Sequence, residues 1–111
     1  MSRKRDAYYR DPSKGAVHTP MEIARDIVIK FPASLIKAET TFFDPACGNG
    51  NLLVAVAERK LSEGYDPGVI AASLFGNDIN GEAVEECKAR LSELLGSVVN
   101  ENFTVSDWLA N

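Results

Sequence analysis

The sequence predicts an α/β fold: about three strands of a parallel, doubly wound sheet with flanking helices. Three observations predict it. Three short apolar segments each run to an aspartate, at Asp44, Asp78 and Asp107. Between them lie stretches whose apolar residues recur every three or four positions, the spacing of an amphipathic helix. The first apolar segment also passes straight into a glycine-bearing turn, Gly48-Asn49-Gly50, and then into a helix-forming run.

Length and composition set the bounds. The 111 residues suit one small domain, and 45% hydrophobic with 25% charged residues is ordinary for a globular protein. No apolar run approaches the roughly 20 residues of a membrane helix. The first ten residues are polar and basic without an apolar centre, so no secretory signal is expected. Cys47 and Cys87 lack metal-ligand or CxxC spacing and read as reduced thiols of a cytoplasmic protein, with no metal site. The net charge of −4 has the wrong sign for a self-sufficient nucleic-acid binder. The exception is the start, where Arg3, Lys4, Arg5, Arg10 and Lys14 face Asp6 and Asp11 with Tyr8 and Tyr9 among them. This run reads as a solvated, disordered basic arm over residues 1–16 rather than a DNA-binding arm, and the domain as residues 17–111.

The elements follow in order. A helix is expected from Pro20, with Thr19 as N-cap; Ile23, Ile27 and Val28, with Met21 or Ala24, form its apolar face. It ends before Phe31-Pro32, because the residue before proline avoids helical geometry. His18 reads as a surface residue. A connector leads to a strand over 41–44, where Thr41, Phe42 and Phe43 suit a pleated surface. Leu52, Leu53, Val56 and Leu61, with Ala55 and Ala57 between them, predict a helix to about Lys60 or Glu63. Gly and Pro mark residues 62–68 as a loop. Residues 69–72 read as a short helical turn or a lead-in, and 73–78 as the second strand. Val84, Cys87, Leu91 and Leu94 or Leu95 predict an amphipathic helix over 81–95, capped by Gly96. Glu85 and Glu86 lie early in it and Lys88 and Arg90 later, a dipole pattern rather than a catalytic carboxylate pair, and Cys87 falls on the apolar stripe. Phe103 and Val105 alternate in a third strand that ends on Asp107.

The glycine turn is the candidate site. Asp44 leaves the carboxyl end of its strand, where open α/β sheets bind ligands. Gly48 and Gly50 let a ligand approach the backbone, and the helix start favours an anionic group. Leu53 stands where a dinucleotide fingerprint has its third glycine, and no P-loop is present. The acid at the strand end argues for a ligand with positive charge or hydroxyls nearby. Asp44-Pro45-Ala46-Cys47-Gly48-Asn49-Gly50 resembles the S-adenosylmethionine-binding motif of class I methyltransferases. More narrowly, it is similar to that of the adenine-N6 DNA methyltransferases of restriction-modification systems and phages.

That resemblance implies a Rossmann-like sheet of order 3-2-1-4-5 and S-adenosylmethionine as cofactor. It implies that Thr19 helps hold the methionine end and that Asp78 takes the ribose hydroxyls, with Ile79 on the adenine face. It implies that Asp107 accepts from the exocyclic amine and that Trp108 packs on the ring. The residues alone leave alternatives: Asp78 as a helix N-cap, unless Asn80 takes that place, and Trp108 as core. The family's catalytic Asn/Asp-Pro-Pro-Tyr/Phe motif is missing; the five prolines, Pro12, Pro20, Pro32, Pro45 and Pro67, are never adjacent. No catalytic residue is therefore assigned. The expected complement is a separate catalytic chain, a second copy through the first-strand edge, or a longer native chain of which this is a fragment, with DNA engaged only in the complete assembly. A non-catalytic module binding S-adenosylmethionine or a partner protein is the alternative.

Overall fold

A computed structural model describes residues 19–107. The basic arm, His18 and Trp108 lie outside the described residues. The elements run α1 (Met21–Ile29), a 3₁₀ turn (Ala33–Leu35), β1 (Phe42–Asp44), α2 (Asn51–Ser62), α3 (Pro67–Ala72), β2 (Leu74–Asp78), α4 (Gly81–Leu95), a second 3₁₀ turn (Asn100–Asn102) and β3 (Phe103–Val105). The three strands are parallel in the order β1-β2-β3, with Phe42 opposite Leu74 and Asp78 opposite Val105. This is the 3-2-1 portion of the expected order, and the α/β fold class holds.

Several boundaries differ from the sequence reading. Pro20, not Thr19, occupies the N-cap of α1, and no side chain caps that helix. Pro20 has an extended ψ of 145°, so the helix starts one residue later than a Pro-first helix would. The 69–72 ambiguity resolves as helix, and α3 draws Pro67 and Gly68 out of the expected loop. Asp66 caps it by accepting from the Val69 N–H at 3.1 Å, and Pro67 supplies the fixed φ that suits a first turn. β3 stops at Val105, two positions before Asp107, so only β1 and β2 end on an acid.

One helical layer covers one face of the sheet. α1 packs on α2, α2 on α4 and β1, and α4 on β2 and β3. Leu53, Val56, Ile70, Leu74, Val84, Cys87 and Leu91 form the core between them, each at most 2% exposed. Strand residues alternate faces, so Phe43 and its register partner Phe75 point to the opposite side. There Phe43 is 44% exposed. β1 is hydrogen-bonded on one side only among the described residues.

At the amino ends of the strands a lysine is buried. Lys60 on α2 is fully covered and its Nζ donates to the carbonyls of Ala38 and Thr40, at 3.1 and 2.6 Å, and to Ser73 Oγ at 2.8 Å. It lies 5.1 Å from the centroid of the Phe42 ring, which stacks on Phe31. The amine thus fastens the 38–40 connector to the base of the sheet. No helix among the described residues is long and apolar enough to cross a membrane.

Candidate functional site

The glycine turn sits at the carboxyl ends of β1 and β2. Asp44 ends β1, and its Oδ1 accepts from the Ala46 N–H at 3.1 Å, which folds the chain back over the strand end. The Cys47 N–H then donates to the Asn77 carbonyl at 2.7 Å, so the turn is tied to β2 as well. Gly48 and Gly50 both have positive φ, 54° and 94°. Gly50 is needed twice over: a Cβ there would meet Cys87 Sγ at 2.6 Å, and its left-handed backbone disfavours any other side chain. Gly50 is also the N-cap of α2 and provides no side chain, so the first amides of α2 have no side-chain cap.

The two strand-end acids converge on this turn. Asp78 Oδ2 accepts from the Gly48 N–H and Oδ1 from the Asn80 N–H, both at 3.0 Å. Asp78 is 1% exposed. The alternative reading of Asp78 as N-cap is resolved against it: Asn80 caps α4 by accepting from the Ala83 N–H at 3.1 Å. The pKa of Asp44 is raised above its ordinary value, first by burial and then by the charge of Asp78, against the opposing Ala46 hydrogen bond. The Cys47 thiol is pushed far up by its hydrogen bond to Cys87, by burial and by both aspartates. It is therefore no nucleophile at neutral pH.

Three polar residues that no local pattern singled out hold the site together. Asn77 is 1% exposed and bridges all three strand ends. Its Nδ2 donates to the carbonyls of Pro45 and Ser106, each at 3.1 Å, and its Oδ1 accepts from Thr104 Oγ1 at 2.7 Å and Ser106 Oγ at 2.9 Å. Arg90 on α4 donates through Nη1 to the Asn49 carbonyl at 3.0 Å and to Asn51 Oδ1 at 2.7 Å. Asn51 Nδ2 in turn donates to the Thr19 carbonyl at 2.6 Å. An N-G-N run and a lone helical arginine carry no spacing signal that would have marked them.

The structure brings Thr19, Asp44, Pro45, Ala46, Cys47, Gly48, Asn49, Gly50 and Asp78 into one region. Ile79 follows β2 and is 39% exposed, and Val105, opposite Asp78 in register, is 54% exposed. Asp107 is exposed just past β3. Asn49 Oδ1 is a buried side-chain acceptor with no hydrogen-bond partner among the described residues. No cluster of three or more potential metal ligands occurs among the described residues.

Comparison with known proteins gives one consistent picture. Residues 5–103 match the family model described as N-6 DNA Methylase. The chain is 36% identical over 97 residues to the Type II methyltransferase M.VspI of Vibrio sp. (strain 343), an alignment covering 87% of this chain and 21% of that protein. Among solved structures it resembles a modification subunit assigned to a type I restriction enzyme of Vibrio vulnificus YJ016. The TM-score is 0.59 at 22% identity, over 96% of this chain and 21% of that one. This second likeness speaks to the fold. The chain spans about one fifth of the length of each.

Proposed function

The chain belongs to the N-6 DNA methylase family, and on that premise we propose that it is the S-adenosylmethionine-binding region of a DNA adenine-N6 methyltransferase. The family implies S-adenosylmethionine as methyl donor. The observation that carries the reading is the Asp78–Gly48 hydrogen bond, which joins the second strand's acid to the glycine turn of the first.

The residues present fit that group. Asn49 Oδ1 is a buried acceptor awaiting a donor, and an ammonium would supply one. The uncapped start of α2 suits a carboxylate, and Thr19, whose carbonyl accepts from Asn51 in that first turn, brings a hydroxyl-bearing residue to it. Asp44 carries a carboxylate held by burial in a negative surrounding, which a cation or hydroxyl would relieve. Asp78 spends one lone pair per oxygen on backbone amides, and a carboxylate has about four such acceptor positions, so it retains capacity for ribose hydroxyls. Ile79 offers an exposed apolar side chain for the adenine face; Asp107, past β3, is assigned to the exocyclic amine, and Trp108 to the ring. When bound, the cofactor supplies an electrophilic sulfonium methyl. This chain's part is to hold and orient it, since the 111 residues contain no Asn/Asp-Pro-Pro-Tyr/Phe to seat a flipped adenine.

The complement is the second half of the proposal. A segment carrying that motif, on a separate polypeptide or on a longer chain of which this is a part, or else a further copy of this chain, adds its strand to the side of β1 that is unpaired among the described residues and walls the crevice at the switch point. DNA is engaged only in that assembly. The one-fifth coverage of the relatives supports a larger functional unit. The test is calorimetric titration with S-adenosylmethionine, alone and with a polypeptide bearing Asn-Pro-Pro-Tyr or Asp-Pro-Pro-Tyr. Binding is expected in the complemented assembly and weakened by Asp78→Ala. No binding there at saturating ligand overturns the cofactor reading, and DNA methylation by this chain unaided overturns the need for a complement. Binding without methylation in the complemented state favours the non-catalytic module.

A further inference from the structure

We propose that Arg90 and Asn51 are positioning residues that lock the Thr19 segment to the glycine turn, and so fix the end of the site that receives the amino-acid portion of the cofactor. This rests on the cofactor reading above. The entry to α1 has no side-chain cap, because its N-cap is Pro20, which offers no polar side chain. A side-chain tie comes from a residue 32 positions later, where Asn51 Nδ2 donates to the Thr19 carbonyl. Asn51 is itself held from the other side. The same Arg90 Nη1 reaches both Asn51 Oδ1 and the Asn49 carbonyl, so one guanidinium grips the turn on either side of Gly50. Arg90 Nη2 also approaches Met21 Sδ at 3.9 Å, which brings the first residue of α1 into the same clasp.

The clasp has a direction of use. Asn51 is held at both ends of its amide, the oxygen toward α4 and the nitrogen toward Thr19. Its role is to set the distance between Thr19 and the start of α2, the two features assigned to the carboxylate. The planar guanidinium suits this work because its donors are fixed in one plane; a lysine ammonium cannot hold two acceptors in the same geometry. The nucleoside end is assigned to Asp78 and Ile79; Asp78 meets the turn at Gly48, one residue before the carbonyl that Arg90 holds.

The experiment compares two ligands in the complemented assembly: S-adenosylmethionine, and 5′-methylthioadenosine, which shares the nucleoside and lacks the amino-acid portion. The variants are Asn51→Asp, which keeps the acceptor for Arg90 and removes the donor to Thr19, and Arg90→Lys, which keeps the charge. Each is expected to weaken S-adenosylmethionine roughly ten-fold, the scale of one hydrogen bond, and to leave methylthioadenosine within about two-fold. Hydrogen exchange should quicken at the Ile23 and Ala24 amides, which donate to the Pro20 carbonyl at the entry of α1. An equal loss for both ligands marks a merely structural role and overturns the proposal, as does no change for either. Wild type that binds neither ligand overturns the cofactor reading and this proposal with it; wild type that binds both, with variants leaving their ratio unchanged, overturns this proposal alone.

Discussion

Asp44 shows how a site residue and a stable residue differ. Its carboxylate is partly buried close to that of Asp78, and folding raises its pKa above the ordinary 3.8. The folded chain then binds the proton more tightly than the unfolded one. The penalty is absent below the unfolded value and grows as pH rises through the folded value, so it is in full at neutral pH. Asp44→Asn keeps an oxygen for the Ala46 N–H and removes the charge. It is expected to raise the melting midpoint at pH 7 relative to wild type, with the gain fading on acidification toward the carboxylic range. The same substitution should weaken S-adenosylmethionine, a stability–function exchange at one side chain. A lower midpoint at pH 7 would show that the charge is satisfied rather than strained.

At the scale of elements, α2 serves both ends of the sheet. Its first turn meets the glycine turn, and near its other end Lys60 grips the connector under β1. Burial pulls the Lys60 amine down to about 8 from its ordinary 10.5, outweighing the charge of Glu39. Below that value both states hold the proton and the cost of burying charge is complete. Between about 8 and 10.5 the unfolded chain still holds the proton while the folded chain releases it, so stability rises with pH across that window. Melting at about pH 7.5 and about pH 9.5 should show the rise, and Lys60→Met should flatten it. An unchanged slope in Lys60→Met would assign the effect elsewhere. The pattern of apolar residues placed α2 correctly but read Lys60 only as a helix end. A lysine at that position declares its partners only once the connector and Ser73 are folded beside it.

At the scale of the whole molecule, the described residues form one helical layer on three parallel strands, and parallel sheets are ordinarily covered on both faces. Here Phe43 is half exposed on the second face, and β1 is open on one side among the described residues. An edge of this kind recruits another strand. Light scattering of the isolated chain is therefore expected to show concentration-dependent self-association, reduced by Phe43→Lys and replaced by a defined complex on adding the complementing polypeptide. A monomer across the concentration range that binds S-adenosylmethionine at full affinity would remove the case for a complement.

What the sequence determined by itself was most of what neighbours along the chain govern, the caps of α1 and α3 excepted. Periodicity placed α2 and α4, the glycines placed the turn between β1 and α2, and two of the three strand-end acids fell where expected, because these depend on backbone geometry over a few residues. Gly96 ended α4 with a φ of 86° for the same reason. What only the tertiary structure decided was where the polar groups go. Asn77, Arg90, Asn51 and Lys60 find partners 13 to 69 positions away. A buried amide or guanidinium is satisfied by whichever carbonyls the packed sheet and helices bring within reach, and that proximity exists only after the chain has folded.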